Sequence, residues 1–357
     1  MKAQPVSGPH RTTAWLAALA FAGLGLLLAA PARAATGLTE LPGLAGDGPV
    51  TVFYPSSASE QPLRRGPFTL NLAPQGEPVR GNGRLVVISH GSGGNPWVHA
   101  DLASALVEAG FVVAVPQHRG DHTGAFTDPG PTSWQRRPGE VSRAIDALAQ
   151  SPRFAAWLAL DRVGVYGGSA GGHTALTLAG GRWSAARFRD HCEAHIAEDF
   201  SSCVGFTTRL RGNVLDPIKL ALARAVIRWR FDDASWQSHH DPRIQAAVAS
   251  VPFAADFDMD SLRVPRIALG LVVAGRDVNQ VPRFHVGAVR AACGPCVVIA
   301  DLPEASHGAM LSPLPPFPPG SLEHDLLGDP PGFDRAMLPE VDRQIAGFFL
   351  RHLPAAP

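Results

Sequence analysis

The stretch VGVYGGSAGGHTAL, residues 163–176, restricts this chain more than any other. An apolar run of strand character enters Gly167-Gly168-Ser169-Ala170-Gly171, and residues with helical spacing leave it. A strand that turns into a helix over so few residues brings two backbones into contact, which only very small side chains at Gly167 and Gly171 permit. The serine on that turn is held in a strained conformation with its hydroxyl outward, and the helix N-terminus behind it favours developing negative charge. A G-x-S-x-G pentapeptide in a glycine-rich chain carries little weight by itself; between a strand and a helix it marks a nucleophile.

The rest of the chain fits such a turn. Short apolar runs at 84–90, 111–116, 161–167, 244–253, 266–275 and 296–303 alternate with helical patterns at 98–110, 138–150, 170–180 and 338–353. Two earlier runs, 48–55 and 66–73, also read as strands. Near-continuous apolar strands alternating with helices predict an α/β fold, a mostly parallel sheet with helices on both faces. The alternation lapses over 182–241, which holds a helical pattern at 216–230 and reads as a cap-like insertion on one catalytic domain, 35–357. The segment 312–332 is too rich in proline for helix or sheet.

Thirty-one basic and 31 acidic residues leave no net charge, which argues against nucleic-acid partners. Residues 1–34 read as a signal peptide: Lys2 and Arg11, an apolar run at 14–30, then Ala32-Arg33-Ala34 before a cleavage expected at Ala35. The apolar run is at the short end for a membrane span, so stable membrane insertion is not expected. The expected location is periplasmic or secreted. In that compartment four cysteines, Cys192, Cys203, Cys293 and Cys296, read as disulfide candidates. Three pairings are open, and the short-range one, Cys192 with Cys203 and Cys293 with Cys296, is preferred.

A nucleophilic serine needs a base, and the base an orienting acid, in the chain order serine, acid, histidine. LVVAGRD delivers Asp277 after one strand, and LPEASHG delivers His307 after the next. Asp256, following the strand before Asp277, is the alternative acid. An oxyanion hole needs two backbone N–H groups, here those of Ala170 and of Ser92 in the loop after VVISH. His90 is expected to shape that loop. His118 and His122 lie in a loop on the catalytic edge, read first as hydrogen-bonded structure, and His173 as packed. His191 and His195 have the i, i+4 spacing of a metal pair but lack the H-E-x-x-H order, so no metal and no cofactor is expected.

VVISHGSGG, YGGSAGGH, VVAGRD and SHG together resemble the α/β-hydrolase superfamily, over roughly residues 48–353. In flavour the chain is similar to predicted dienelactone hydrolases and to bacterial relatives of platelet-activating-factor acetylhydrolase. Dienelactone hydrolases proper use a cysteine nucleophile where this chain has Ser169. The acetylhydrolase group takes its acid from the earlier strand, which keeps Asp256 in play. The resemblance implies a serine esterase acting on a small-molecule ester, and no long amphipathic lid is evident in the insertion, which favours small or medium esters.

Two rivals accompany that reading. Cys293-Gly294-Pro295-Cys296 is the dithiol of thioredoxin-like oxidoreductases, but it follows a helix and precedes a strand, the reverse of the order that activates a thiol. It is better read as a staple around a turn. A non-catalytic binding protein on a hydrolase fold is the other, and the intact serine, histidine and oxyanion loop count against it.

Overall fold

A computed structural model describes residues 34–44 and 46–356. The signal peptide read over 1–34 lies outside these apart from its last residue, and the first strand begins at Ala35. The chain order is β1 (Ala35–Leu41), β2 (Val50–Ser56), β3 (Gln61–Arg65), β4 (Phe68–Pro74), β5 (Leu85–Ser89), α1 (Ala100–Glu108), β6 (Val112–Pro116), the short ribbon β7 (Asp121–His122) and β8 (Ala125–Phe126), then α2 (Pro131–Gln150). It continues with β9 (Val163–Gly168), α3 (Ala170–Leu178), α4 (Ala185–His195), α5 (Phe200–Val204), α6 (Asp216–Arg230), β10 (Ile244–Ser250), β11 (Ala268–Ala274), α7 (Val286–Ala292), β12 (Val297–Leu302), α8 (Leu322–Leu327) and α9 (Leu338–His352).

Ten strands form one sheet in the order β12-β11-β10-β9-β5-β6-β2-β1-β4-β3. From β12 to β6 every pairing is parallel, and β2 turns antiparallel against β6. Successive side chains on a strand point to opposite faces, so a sheet covered twice needs apolar residues at every position. β5 shows this: Leu85 and Val87 pack into one core with Trp134, Val141 and Ile145 of α2, while Val86 and Ile88 pack into the other with Leu102 and Leu106 of α1 and Ile345 and Phe349 of α9. From β5 the chain crosses to β6 on one side and later to β9 on the other. Strand order therefore reverses between β5 and β9, the place where open parallel sheets leave a crevice at their carboxyl ends.

Three expectations need correction. Strands β1 and β3 were not anticipated, because pairing with β2 and β4 rather than local apolar content makes them strands. The α2 helix starts at Pro131, not Pro138. A proline ordinarily begins a helix; here Pro131 does so, and Pro138 sits buried in the interior, retained by the neighbouring buried Trp134 and Arg137. The proline-rich segment contains α8, started by the Ser321 side chain accepting the His324 N–H. The 182–241 segment holds the expected helix as α6, and α4 and α5 besides.

On α9, Asp342 is buried, and burial together with the nearby Asp101 charge pushes its carboxyl up to about 7 from 3.8. The folded chain therefore favours the protonated acid; the stability this contributes is whole below pH 3.8 and is lost as pH rises through about 7. Asp342→Asn should raise the melting temperature at pH 8 by a few degrees, from about 1–3 kcal/mol of relieved charge burial, with the gain shrinking toward pH 4. Thermal unfolding of both proteins across pH checks this; a gain that does not grow with pH contradicts it.

Candidate active site

Ser169 follows β9 at φ 57° and ψ −119°, a region an L-residue seldom occupies. Packing enforces it. A Cβ on Gly167 would collide with the Gly171 carbonyl, and one on Gly171 with the Ser89 carbonyl, so α3 lies against β9 and β5 at backbone distance. The Ser169 N–H donates to Ser250 O at 3.1 Å, and Ser169 O accepts the N–H of Phe253 and of His173. Three segments thus hold a turn that is strained by itself.

The carboxyl ends of β5, β9, β11 and β12 bring the remaining residues to the same edge. His307 Nδ1 and Asp277 Oδ2 lie 2.7 Å apart, both buried. The second oxygen, Asp277 Oδ1, accepts the N–H groups of Asn279 and Gln280 at 2.9 and 2.7 Å, so this carboxylate is fixed by its own loop. Asp256 is elsewhere occupied: its Oδ2 is 3.0 Å from His173 Nε2, and both residues are wholly buried under Trp134, Trp183 and Phe257.

The loop bearing Ser92 is braced from below. Asp121 Oδ1 accepts the Ser92 hydroxyl at 2.6 Å and the Gly93 N–H at 2.9 Å, while Oδ2 accepts Arg137 and Ser133, each at 2.7 Å. Burial would raise the Asp121 carboxyl; the Arg137 charge and the two hydroxyls outweigh it and hold it at about 2. Beneath them Ser89, His118 and Glu140 form a chain, Ser89 Oγ to His118 Nε2 at 2.8 Å and His118 Nδ1 to Glu140 at 2.6 Å. The residue types copy a hydrolytic triad, but all three are buried and Ser89 lies within β5, so no substrate can reach it. Burial, with the Arg137 charge, keeps His118 neutral well below the usual histidine range. His90, likewise lowered first by burial, bonds Gly91 O at 2.8 Å and shapes the loop. Asp121→Asn should leave Arg137 short of charge, costing about 3–5 kcal/mol of stability. Because Ser92 hangs on the same carboxylate, kcat should also fall by about tenfold or more with KM little changed if Ser92 serves the expected oxyanion hole; kinetics of a short ester and thermal unfolding would check both, and an unchanged kcat would contradict that role.

A cavity of about 460 Å³ opens on Ser169. Trp134, Phe188 and Phe253 line it from the core, with Trp134 and Phe253 stacked at 4.5 Å between centroids. Phe188, together with Phe206, Leu222 and Val226, comes from the 182–241 segment. That insertion is therefore a wall of the cavity. Gly320 and Leu322 of the proline-rich segment line an adjoining cleft of about 310 Å³ whose Thr207, Thr208 and Lys219 also line the cavity.

Gln280 escaped the sequence reading. Its side-chain N–H donates to Ser169 Oγ at 3.3 Å, while its Oε1 is buried with no partner. A polar pair directly behind the acid, Asn279-Gln280, was the available signal.

His191 does not team with His195 for a metal. It joins Asp199 and His285, the group of three that could hold an ion. His191 Nε2 and His285 Nε2 lie 2.8 and 2.9 Å from Asp199 Oδ2. His285 Nδ1 accepts the Ala254 N–H at 3.0 Å, so a neutral His285 carries its proton on Nε2 and donates it to Asp199. The three side chains thus form a hydrogen-bonded clamp. Asp199 also accepts the Val281 N–H, one residue past Gln280, and so pins the far end of the acid loop. Burial would raise Asp199, but its two histidine partners hold it well below the usual carboxylate range.

The cysteines pair at disulfide distance as Cys192 with Cys203 and Cys293 with Cys296, with Cα separations of 5.8 and 5.6 Å. Cys293 caps the carboxyl end of α7, and Cys296 immediately precedes β12. Since β12 is parallel to β11, this pair lies at the opposite end of the strands from Ser169.

This sheet, with its reversal beside a strained serine and a histidine–aspartate pair on the same edge, has the α/β-hydrolase fold. A solved structure described as a ferulic acid esterase from Streptomyces cinnamoneus is similar to it, with a TM-score of 0.55 and 18% identity over 92% of this chain and 93% of that one. No family model and no curated sequence matches the chain.

Proposed function

We propose that the chain is an exported serine hydrolase that cleaves carboxylic esters of small or medium acyl or alcohol groups. The observation that carries this reading is the strained Ser169 opening on an apolar cavity, with His307 and Asp277 bonded to each other on the same edge. Ser169 Oγ attacks the ester carbonyl while His307 Nε2 takes its proton. Asp277 holds the Nδ1 proton and the imidazolium charge. The oxyanion is received by the N–H groups of Ala170 and Ser92. His307 then passes the proton to the leaving alcohol, and water activated by the same histidine hydrolyses the acyl-enzyme.

The esterase likeness of fold supports the substrate class, and the cavity's volume lies in the ordinary range for small ligands. Its aromatic and aliphatic lining suits an apolar acyl or alcohol group. Export rests on the leader pattern; the two cysteine pairs are compatible with an oxidising compartment, and among the described residues no helix is long and apolar enough to cross a membrane. A fluorophosphonate probe should label the parent protein at Ser169 and leave Ser169→Ala unlabelled. Labelling of both alike would overturn the assignment.

A further inference from the structure

The outer face of α6 is the least explained surface of the molecule. Leu215, Ile218, Leu222, Val226 and Trp229 recur at intervals of three and four, which at about 100° per residue places them in one narrow stripe. That stripe is open to solvent: Val214 just before it is 88% exposed, Trp229 81%, Leu222 64% and Ile218 63%. Of the helix's own residues only Ile227 is buried. So much contiguous apolar surface on one exposed helix marks an interaction site.

Charge says what covers it. Residues 209–230 hold six basic residues and one acidic one, in a chain that balances 31 against 31. Lys219 pairs with Asp216, Arg228 with Glu193 and Arg209 with Asp325. Among the described residues Arg211, Arg224 and Arg230 have no carboxylate at ion-pair distance, and even with Asp232 and Asp233 just past the helix the balance around the stripe stays positive, six basic residues against five carboxylates. A second copy of the chain would bring the same excess and be repelled. An anionic surface would be attracted, and a basic helix with an exposed leucine, isoleucine and tryptophan stripe is the pattern that lies in a lipid interface.

The stripe is also continuous with the cavity. Leu222 and Val226 belong to both, and Lys219, Arg230 and the half-exposed Phe126 complete the rim on the cavity side. We propose that α6 docks the protein peripherally on an anionic lipid bilayer, placing the mouth of the Ser169 cavity at the lipid–water boundary. Docking of this kind uses the helix face alone and does not depend on hydrolysis.

Ser169→Ala protein, which separates binding from chemistry, can be floated with vesicles of phosphatidylcholine and phosphatidylglycerol in roughly a 7:3 ratio. The expected result is co-flotation that falls at least about tenfold when salt is raised from about 0.05 to 0.5 M. In an otherwise parental chain Ile218→Asp/Trp229→Asp should bind at least about tenfold less than the parent while hydrolysing a soluble ester at the parental rate, since neither residue lines the cavity. Brominated lipid in the vesicles should quench a tryptophan component that Trp229→Phe lacks, which localises the contact to α6 whatever residues 1–33 contribute. Equal flotation of parent and double variant, or identical quenching in parent and Trp229→Phe, would overturn the proposal. So would a concentration-dependent dimer in sedimentation that the double variant abolishes without vesicle binding in the parent.

Discussion

Ser169→Ala is expected to lower kcat for a short p-nitrophenyl ester by about four to six orders of magnitude, with KM changed little. In the proposed mechanism the hydroxyl forms the acyl-enzyme; positioning by the cavity and polarisation by the proposed oxyanion N–H groups would survive its loss and sustain only residual hydrolysis. The loss corresponds to about 5–8 kcal/mol of transition-state stabilisation. Folding should be unaffected, because alanine has the same backbone preference as serine at φ 57°, and the hydroxyl accepts only the 3.3 Å bond from Gln280. Unchanged melting with absent turnover is thus the expected pair of observations. A variant that keeps more than about one hundredth of parental kcat would mean that another group is the nucleophile. The buried Ser89–His118–Glu140 chain is no candidate, since it has no surface to offer a substrate.

What was legible in the sequence follows the range of the forces involved. The β9–Ser169–α3 turn is specified by adjacent residues: glycines at the two closest approaches, apolar residues before and helical spacing after. It was readable for that reason, and so were the strands that lead into the loops bearing Ser92, Asp277 and His307. What escaped is set by partners far along the chain. β1 exists because β2 offers it a hydrogen-bonding edge. α2 extends seven residues before Pro138 because Trp134 and Arg137 find buried partners across the molecule. Asp277, directly after a strand, was preferred over Asp256 in the sequence, but only three-dimensional placement gives His173 to Asp256 and His307 to Asp277. The His191–Asp199–His285 clamp and the Gln280 contact are of the same long-range kind, and the pairing His191 with His195, suggested by helical spacing, was displaced by it.

That difference between the two aspartates predicts the second large effect. Asp277→Asn should lower kcat by about 10⁴-fold, whereas Asp256→Asn should stay within about threefold of the parent. Asn in place of Asp277 can keep its carbonyl oxygen on the N–H groups of Asn279 and Gln280, which hold Oδ1 in the parent. Its amide NH₂ then faces His307 Nδ1. A ring nitrogen facing a donor must accept, so the imidazole proton moves to Nε2, the nitrogen that has to take the Ser169 proton. The loop stays folded and the base is disabled. At Asp256 the partner is His173, a buried ring with no path to the reacting atoms, and a neutral amide can bond either tautomer. Removing that buried charge should shift the melting temperature rather than turnover. Kinetics and thermal unfolding of both variants decide the matter: loss of kcat in Asp256→Asn with near-parental rates in Asp277→Asn would assign the acid to the earlier strand and require His307 to leave its 2.7 Å partner during catalysis.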